Sequence, residues 1–254
     1  MPTIVALVPM RHNSERVIGK NYRDFGGKPL YAHILDTLSH CPEISQIVVD
    51  TDSPDVRDGV AVDFPDVQLL ERPEHLRAGT TPMNDVLLHD ISQVKADFYL
   101  QTHSTNPLLK TATIRRAIQE FLAQYPVYDS LFGVTRLQTR LWNQLTLPVN
   151  HNPAILLRTQ DLPPIYEENS NIYIFTEATL KQKHNRIGDR PLMFEIPRLE
   201  AMDIDEPLDF EVAEFLYLKQ ATLAGHRNAG EIVSSEKSVN KRESHLIKKE
   251  SSEQ

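Results

Sequence analysis

Short runs of β-branched and aromatic residues alternate with segments of helical period along most of this chain. TIVALVP (3–9), QIVVDT (46–51), VQLLE (67–71), FYLQT (98–102), SLFGVT (130–135) and NIYIF (171–175) have the length and content of strands. Between them, apolar positions recur at helical spacing. Leu30, Ile34 and Leu38 share one face of a helix over 29–40, Val86, Leu87 and Ile91 one over 83–94, and Ile114, Ile118, Phe121 and Leu122 one over 111–124. A further helix opens at EPLDFEVAEFLYL and covers 207–222. This alternation predicts an α/β fold whose mostly parallel sheet is flanked by helices and mixed at its edge.

Two stretches break the rhythm. Residues 136–168 hold Pro148, Pro153, Pro163 and Pro164 with no sustained period, which predicts an insertion or arm. Residues 228–254 are polar and charged, with too little apolar surface to offset the entropy of ordering, so a disordered tail is expected behind a domain of residues 1–227. A chain of 254 residues with 40% hydrophobic content suffices for a sizeable core. Its formal charge of -8 speaks against a general nucleic-acid binder, which favours a broad basic surface. Cys41 is the single cysteine, and neither an apolar run of membrane-spanning length nor a signal-peptide pattern occurs; a soluble cytoplasmic protein with no membrane partner is expected.

Against that acidic total, the stretch VPMRHNSERVIGKN (8–21) gathers Arg11, Arg16 and Lys20 directly after the first strand. In open α/β sheets ligands bind beyond the carboxyl ends of the strands. Arg11 and Arg16 can each present forked donors to phosphate oxygens, Lys20 adds a compact charge, and Asn13, Ser14 and Asn21 add neutral donors. The stretch fits a triphosphate cradle built from side chains, since neither G-x-x-x-x-G-K-[ST] nor G-x-G-x-x-G occurs. A solvated basic loop is the alternative on charge pattern alone. The second telling stretch is MDIDEPLDF. Asp203 and Asp205 lie two apart, so on an extended segment both carboxylates point to the same side, where they could share a Mg²⁺ bridging phosphate oxygens. The alternative is that one of them caps the helix beginning near Pro207, with Glu206 and Asp209 near its first turn.

The opening stretch resembles the N-terminal signature of the acylneuraminate cytidylyltransferases, the CMP-sialic acid synthetases, in which an R-x-x-S-x-x-x-x-x-K-N run binds CTP. The related KDO cytidylyltransferases have a similar loop but carry proline after the lysine, where this chain has Asn21. The likeness continues in order through IVVDTD (47–52), RPEHLRAGTT (72–81), LQTHSTNPLLKT (100–111), ENSNIYIF (168–175) and AMDIDEPLDF (201–210). It implies a Rossmann-like sheet of the nucleotide-diphospho-sugar transferase type, with Lys20, Arg11 and Arg16 at the reacting phosphates and Mg²⁺ on Asp203 and Asp205. It places Asn13, Ser14, Asn21, Arg72 and Thr80 at the nucleotide, Arg72 being similar to the arginine that recognises cytidine; a surface salt bridge is its other reading.

The resemblance places Gln101 and Tyr173 at the sugar, and His103 stands where the pattern has proline, which suits a turn residue. Departures cluster where the sugar would sit. Glu167 stands where the sialic acid enzymes have an arginine, leaving a substrate carboxylate to Arg136, Arg140 or Arg158, whereas Gly79, which replaces an aspartate before Thr80, bears on the nucleotide-base contacts. The implied partners are CTP and a 2-keto sugar acid, and the implied assembly is a homodimer joined through 136–168. No residue stands out as a general base. A KDO-type or other nucleotidyltransferase, a D-x-D glycosyltransferase and a catalytically silent nucleotide-binding protein are the rival readings; a glycosyltransferase has less need of a three-cation loop.

Overall fold

In the computed structural model, which describes residues 2–223, every residue of strand β1 (Ile4–Met10) is buried, so the strand must be covered on both faces. Along the chain follow β2 (Asp24–Phe25), β3 (Lys28–Pro29), helix α1 (Leu30–Ser39), β4 (Gln46–Thr51), α2 (Pro54–Asp63), β5 (Gln68–Glu71), α3 (Met83–Gln93), β6 (Phe98–Gln101), α4 (Thr111–Gln124), β7 (Ser130–Leu137), β8 (Ile165–Phe175), α5 (Glu177–Lys183), β9 (Pro191–Glu195) and α6 over 207–223. The chain divides into two compact units, Met1–Phe210 and Glu211–Gln254; the first carries the sheet and every site residue discussed below. The tail expected over 228–254 lies outside the described residues.

The main sheet has the order β5-β4-β1-β6-β8-β7-β9. Strands β5, β4, β1 and β6 run parallel, β8 is antiparallel to both β6 and β7, and β9 pairs parallel with β7, so the sheet is mostly parallel and mixed toward one edge. Alternation along β1 assigns the two cores. Ile4, Ala6, Val8 and Met10 meet Tyr31, Ile34 and Leu35 of α1, Val56 and Val60 of α2, and Ile114, Ile118 and Phe121 of α4. Val5 and Leu7 meet Leu87 and Ile91 of α3 and Leu180 of α5 on the other face. Full burial of such a side chain stabilises the fold by about 1.5–3 kcal/mol, so both helical layers are held chiefly by these contacts.

Three elements escape the periodicity. Helix α2 buries only Val56 and Val60, too narrow a stripe for a hydrophobic pattern, although Ser53 caps it by accepting from the Val56 N–H at 3.4 Å and Pro54 opens it. Helix α5 is one short segment capped by the Thr176 side chain, and β9 begins on a proline and is half-exposed. The expected arm has different limits from 136–168: β7 runs on to Leu137 and β8 starts at Ile165, so the hairpin extends well beyond the sheet core, and residues 138–164 form its tip. The polar stretch YEEN reads as loop in the sequence, yet it pairs with β7 past a register shift at Phe132/Val134, with Ser170 in the left-handed region at φ 57°.

Candidate active site

Parallel strands deliver their carboxyl ends to one edge, and β1 has β4 on one side and β6 on the other, which makes that edge a topological switch point. There the loop after β1 closes a cavity of about 270 Å³ lined by Arg11, Ser14, Lys20, Asn21, Arg72 and His103, with Thr81 and the Ser104–Thr105 turn. Gly19, at φ 66°, turns the loop into a single 3-10 turn that presents Lys20; a Cβ there would lie 2.8 Å from the Tyr22 ring. Asn21 is buried and spans two loops, donating to the Arg11 carbonyl at 2.8 Å and accepting from the Ser104 hydroxyl at 2.7 Å. The His12 N–H donates to Asp52 at 2.7 Å, tying the loop to the end of β4. Gly79 lies against this loop, since a Cβ there would come within 2.8 Å of both the Arg11 guanidinium and Glu15.

The segment before α6 joins the same edge. The Ile204 N–H donates to the Thr105 carbonyl at 3.0 Å, and Lys20 Nζ donates to the Ile204 carbonyl at 2.6 Å and stands 3.9 Å from Asp205. Ile204 is buried while Asp203 is exposed and Asp205 half-exposed, as an extended segment with alternating sides requires. Arg16 donates to Asp205 at 2.8 Å and to Glu206 at 3.0 Å. Burial pushes the Lys20 ammonium below its ordinary value, and the Asp205 and Asp203 charges oppose that push. The capping of α6 falls to Asp209, which accepts from the Asp205 and Glu206 N–H groups at 3.1 and 2.7 Å. Asp203 and Asp205 therefore stand beside the cavity as a pair of hard oxygen donors. A pair of carboxylates completed by substrate phosphates is how Mg²⁺ is commonly held, and these residues fit that ion.

Arg72 is buried, which removes the surface salt bridge reading: its Nε donates to Asp50 Oδ1 and its Nη2 to the Asp50 carbonyl at 3.4 Å. Asp50 and Asp90, each 1% exposed, bring carboxylate oxygens within 4.8 Å of each other and of a His89 ring nitrogen. Arg72 pairs with Asp50 and not with Asp90: burial first, then the Asp50 charge, raises the Asp90 carboxyl well above the ordinary carboxylate range. Neutral Asp90 can then donate to Asp50. With one carboxylate neutralised by Arg72 and the other by a proton, this trio is a positioning device for Arg72. The signal in the sequence was an aspartate on the apolar face of α3, beside Val86, Leu87 and Ile91.

Other expected residues separate. Gln101 and Tyr173 are fully buried partners across β6 and β8, and the Tyr173 hydroxyl donates to Glu168. Glu167 is exposed opposite Thr135. In the hairpin tip, Arg140 donates to the Leu157 carbonyl and Arg158 pairs with both oxygens of Asp161. Thr80 lines a neighbouring cavity with His75, Asp85 and His89, whereas Thr81 lines the main one. Asn13 and Arg136 are exposed. Two residues that the sequence did not single out for chemistry stand at the site: His103, on the cavity wall, and Arg186, which donates to Gln101.

A family model described as cytidylyltransferase matches residues 5–232. The chain is 28% identical to a CMP-N,N'-diacetyllegionaminic acid synthase of Legionella pneumophila, the match covering 84% of this chain and 95% of that one. It is 23% identical to a pseudaminic acid cytidylyltransferase of Campylobacter jejuni, over 84% and 95% of the two chains. Among solved structures, a CMP:2-keto-3-deoxy-manno-octonic acid synthetase complexed with CTP superposes with a TM-score of 0.66 at 17% identity, covering 86% of this chain and 99% of that one, a likeness of fold.

The Asp50–Asp90 pair predicts a pH dependence. Asp90 has a folded value raised above its unfolded one, so its contribution to stability is present in full below about pH 4 and is lost as pH rises toward the folded value. Asp90→Asn keeps a neutral donor and removes that loss. Its melting temperature is expected to exceed that of the parent by more at pH 8 than at pH 5. An equal offset at both values would show that Asp90 is already ionised in the fold.

Proposed function

The chain belongs to the cytidylyltransferase family, and from that premise we propose that it transfers CMP from CTP to the anomeric hydroxyl of a sialic-acid-like nonulosonic acid, releasing pyrophosphate. The observation that carries the reading is the convergence of Arg11, Ser14, Lys20, Asn21 and Arg72 on one cavity, with Asp203 and Asp205 beside it. The relatives named for legionaminic and pseudaminic acid support the acceptor class.

In this reading the hydroxyl oxygen attacks the α-phosphorus, its proton passing to water, as the bond to the bridging oxygen of the β-phosphate breaks and that oxygen leaves with the pyrophosphate. Arg11 and Lys20 offset the charge that builds on the β- and γ-phosphates, and fixed donors of this kind lower the barrier because they need no reorganisation as charge develops. Arg16 joins them by exchanging its contacts with Asp205 and Glu206 for phosphate oxygens. Asp203 and Asp205 would hold Mg²⁺, which when bound orients the phosphates and neutralises the departing pyrophosphate. Arg72, fixed by Asp50, and Asn13 and Thr80 belong to the nucleotide side; Gln101, Tyr173 and Glu167, with Arg140 and Arg158, belong to the acceptor side. The proposal includes a cytoplasmic location, where CTP is supplied; among the described residues no helix is long and apolar enough to cross a membrane.

The hairpin tip is read as a dimer contact with a second copy of this chain. Leu145 is 71% exposed and Leu156 88% exposed, with Trp142, Leu147, Val149 and Ile155 also exposed around them. Apolar groups clustered on one short segment are costly to leave in water and mark an interaction surface.

Three measurements check this reading. Pyrophosphate release assayed with each of four NTPs, against N,N'-diacetyllegionaminate, pseudaminate, N-acetylneuraminate and KDO, is expected to require CTP and a nonulosonic acid; equal rates with all NTPs would sink the cytidine assignment. Asp203→Asn and Asp205→Asn should each lower turnover by at least about a hundredfold while melting like the parent, the size expected when charge stabilisation of the transition state is lost. Near-native turnover in both would remove the pair from the reaction. Light scattering should give twice the chain mass for the parent and the single-chain mass for the double variant Leu145→Asp/Leu156→Asp; a parent of single-chain mass would overturn the dimer.

A further inference from the structure

We infer that Arg186 is the residue that binds the carboxylate of the acceptor. This inference deepens the cytidylyl-transfer reading and rests on it. Arg186 lies between α5 and β9, a stretch with no motif in the sequence. Its guanidinium stacks 3.7 Å above the centre of the Tyr173 ring, and its Nη1 donates to Gln101 Oε1 at 2.7 Å. Both partners are completely buried and paired across β6 and β8, so neither moves when the cation acquires a ligand. A cation clamped between an aromatic face and a fixed amide is oriented in advance, which lowers the entropy lost on binding.

The donor count leaves room for a ligand. Arginine has five N–H groups in a planar fork, and one is used on Gln101. Among the described residues no carboxylate lies within 4.0 Å of Arg186, although the chain is acidic overall. The arginines of the hairpin tip differ: Arg158 is already forked onto Asp161, and Arg140 donates to a backbone carbonyl of the tip with, among the described residues, no aromatic face or buried amide to orient it. The remaining edge of Arg186 is suited to two parallel hydrogen bonds with a carboxylate.

Hydrogen-bond direction then connects this cation to the nucleotide cavity. Because Arg186 donates to Gln101 Oε1, the Gln101 amide presents its Nε2 donor to His103 Nε2, 2.8 Å away. His103 must accept there and so is neutral, with its proton on Nδ1; burial, followed by the Arg186 and Lys20 charges, pushes its imidazole well below its ordinary value. His103 lines the cavity that holds Lys20 and Arg11, whereas Arg186 stands outside that lining. One polar relay thus separates the phosphate cations from the cation assigned to the acceptor, as a reaction joining a nucleotide to a sugar acid requires.

The test compares the parent with Arg186→Met and Arg186→Lys by steady-state pyrophosphate release. The probes are CTP, N,N'-diacetyllegionaminate, pseudaminate and N-acetylneuraminate, each acid also as its C1 methyl ester. Arg186→Met is expected to raise KM for the acid at least tenfold, leave KM for CTP unchanged, and abolish the preference of the parent for the acid over its ester. Arg186→Lys, which keeps charge but not the fork, should fall between, and it supplies the same comparison if the methionine variant does not fold. A KM for the acid within twofold of the parent, or an acid preference undiminished in the variants, overturns the inference while cytidylyl transfer stands. A parent that releases no pyrophosphate from CTP with any of these acids overturns cytidylyl transfer and this inference together.

Discussion

Like charges repel, yet the edge of this sheet collects Arg11, Arg16, Lys20, Arg72 and Arg186 on a chain of net charge -8. Holding those cations in place before any anion arrives is the constraint on which the rest of the structure depends, and four of the five are held by different devices. Asp50 takes Arg72 inside the fold, Asp205 and Glu206 take Arg16 at the surface, the Ile204 carbonyl takes Lys20, and the Gln101 amide with the Tyr173 ring takes Arg186. The magnitudes separate these devices. Breaking a buried pair such as Arg72–Asp50 costs about 3–5 kcal/mol, so Arg72 is a fixed wall. An exposed pair such as Arg16–Asp205 is screened by water and contributes little, so Arg16 can change partners readily.

That difference sorts structural charge from exchangeable charge. In the proposed reading a triphosphate entering the cavity would meet Lys20 already in place beside Arg11 and draw Arg16 from Asp205 at small cost, which would leave Asp205 beside Asp203 for a divalent ion. Lys20 is mostly buried, and burial alone favours its neutral form, while the two aspartates favour its charged form. In the proposed reading the same carboxylates oppose the effect of burial on the phosphate-binding lysine and would provide the metal ligands, a double use that suits an extended segment laid across the loop after β1.

Legibility in the sequence followed the locality of the causes. The parallel core was readable because strands covered on both faces are apolar throughout, and the gathering of loop 11–21 at one cavity was readable because its cations lie within consecutive residues at a strand end. Helix α2 was not, since tertiary contacts through Val56 and Val60 override a weak pattern. The outer half of β8 was not, because YEEN has the polarity of loop and becomes strand only by pairing with β7. Asp203 and Asp205 carried two readings in the sequence, and the structure gives the capping bonds to Asp209. Arg140 and Arg158 looked available on charge alone; their partners, a backbone carbonyl and Asp161, depend on how the hairpin tip folds.

The two halves of the site differ in how they are encoded. The proposed nucleotide half is written largely in one loop, with Arg72 and the Asp203–Asp205 segment added at the same sheet edge, so a family signature can describe it. The acceptor half is assembled from Gln101 on β6, His103 beyond it, Tyr173 on β8 and Arg186 after α5, residues brought together by the antiparallel pairing of β6 with β8. No short motif spans such a set. In the proposed reading, changing which sugar acid is held needs alteration in the segments around β6, β8 and α5, while the loop assigned to the triphosphate stays as it is. In the proposed reading a chain can keep cytidylyl transfer and vary its acceptor, because the one covalent requirement shared by every acceptor of this class, a carboxylate beside the anomeric hydroxyl, would be met by a cation whose orientation is set by the core of the sheet and not by the hairpin tip.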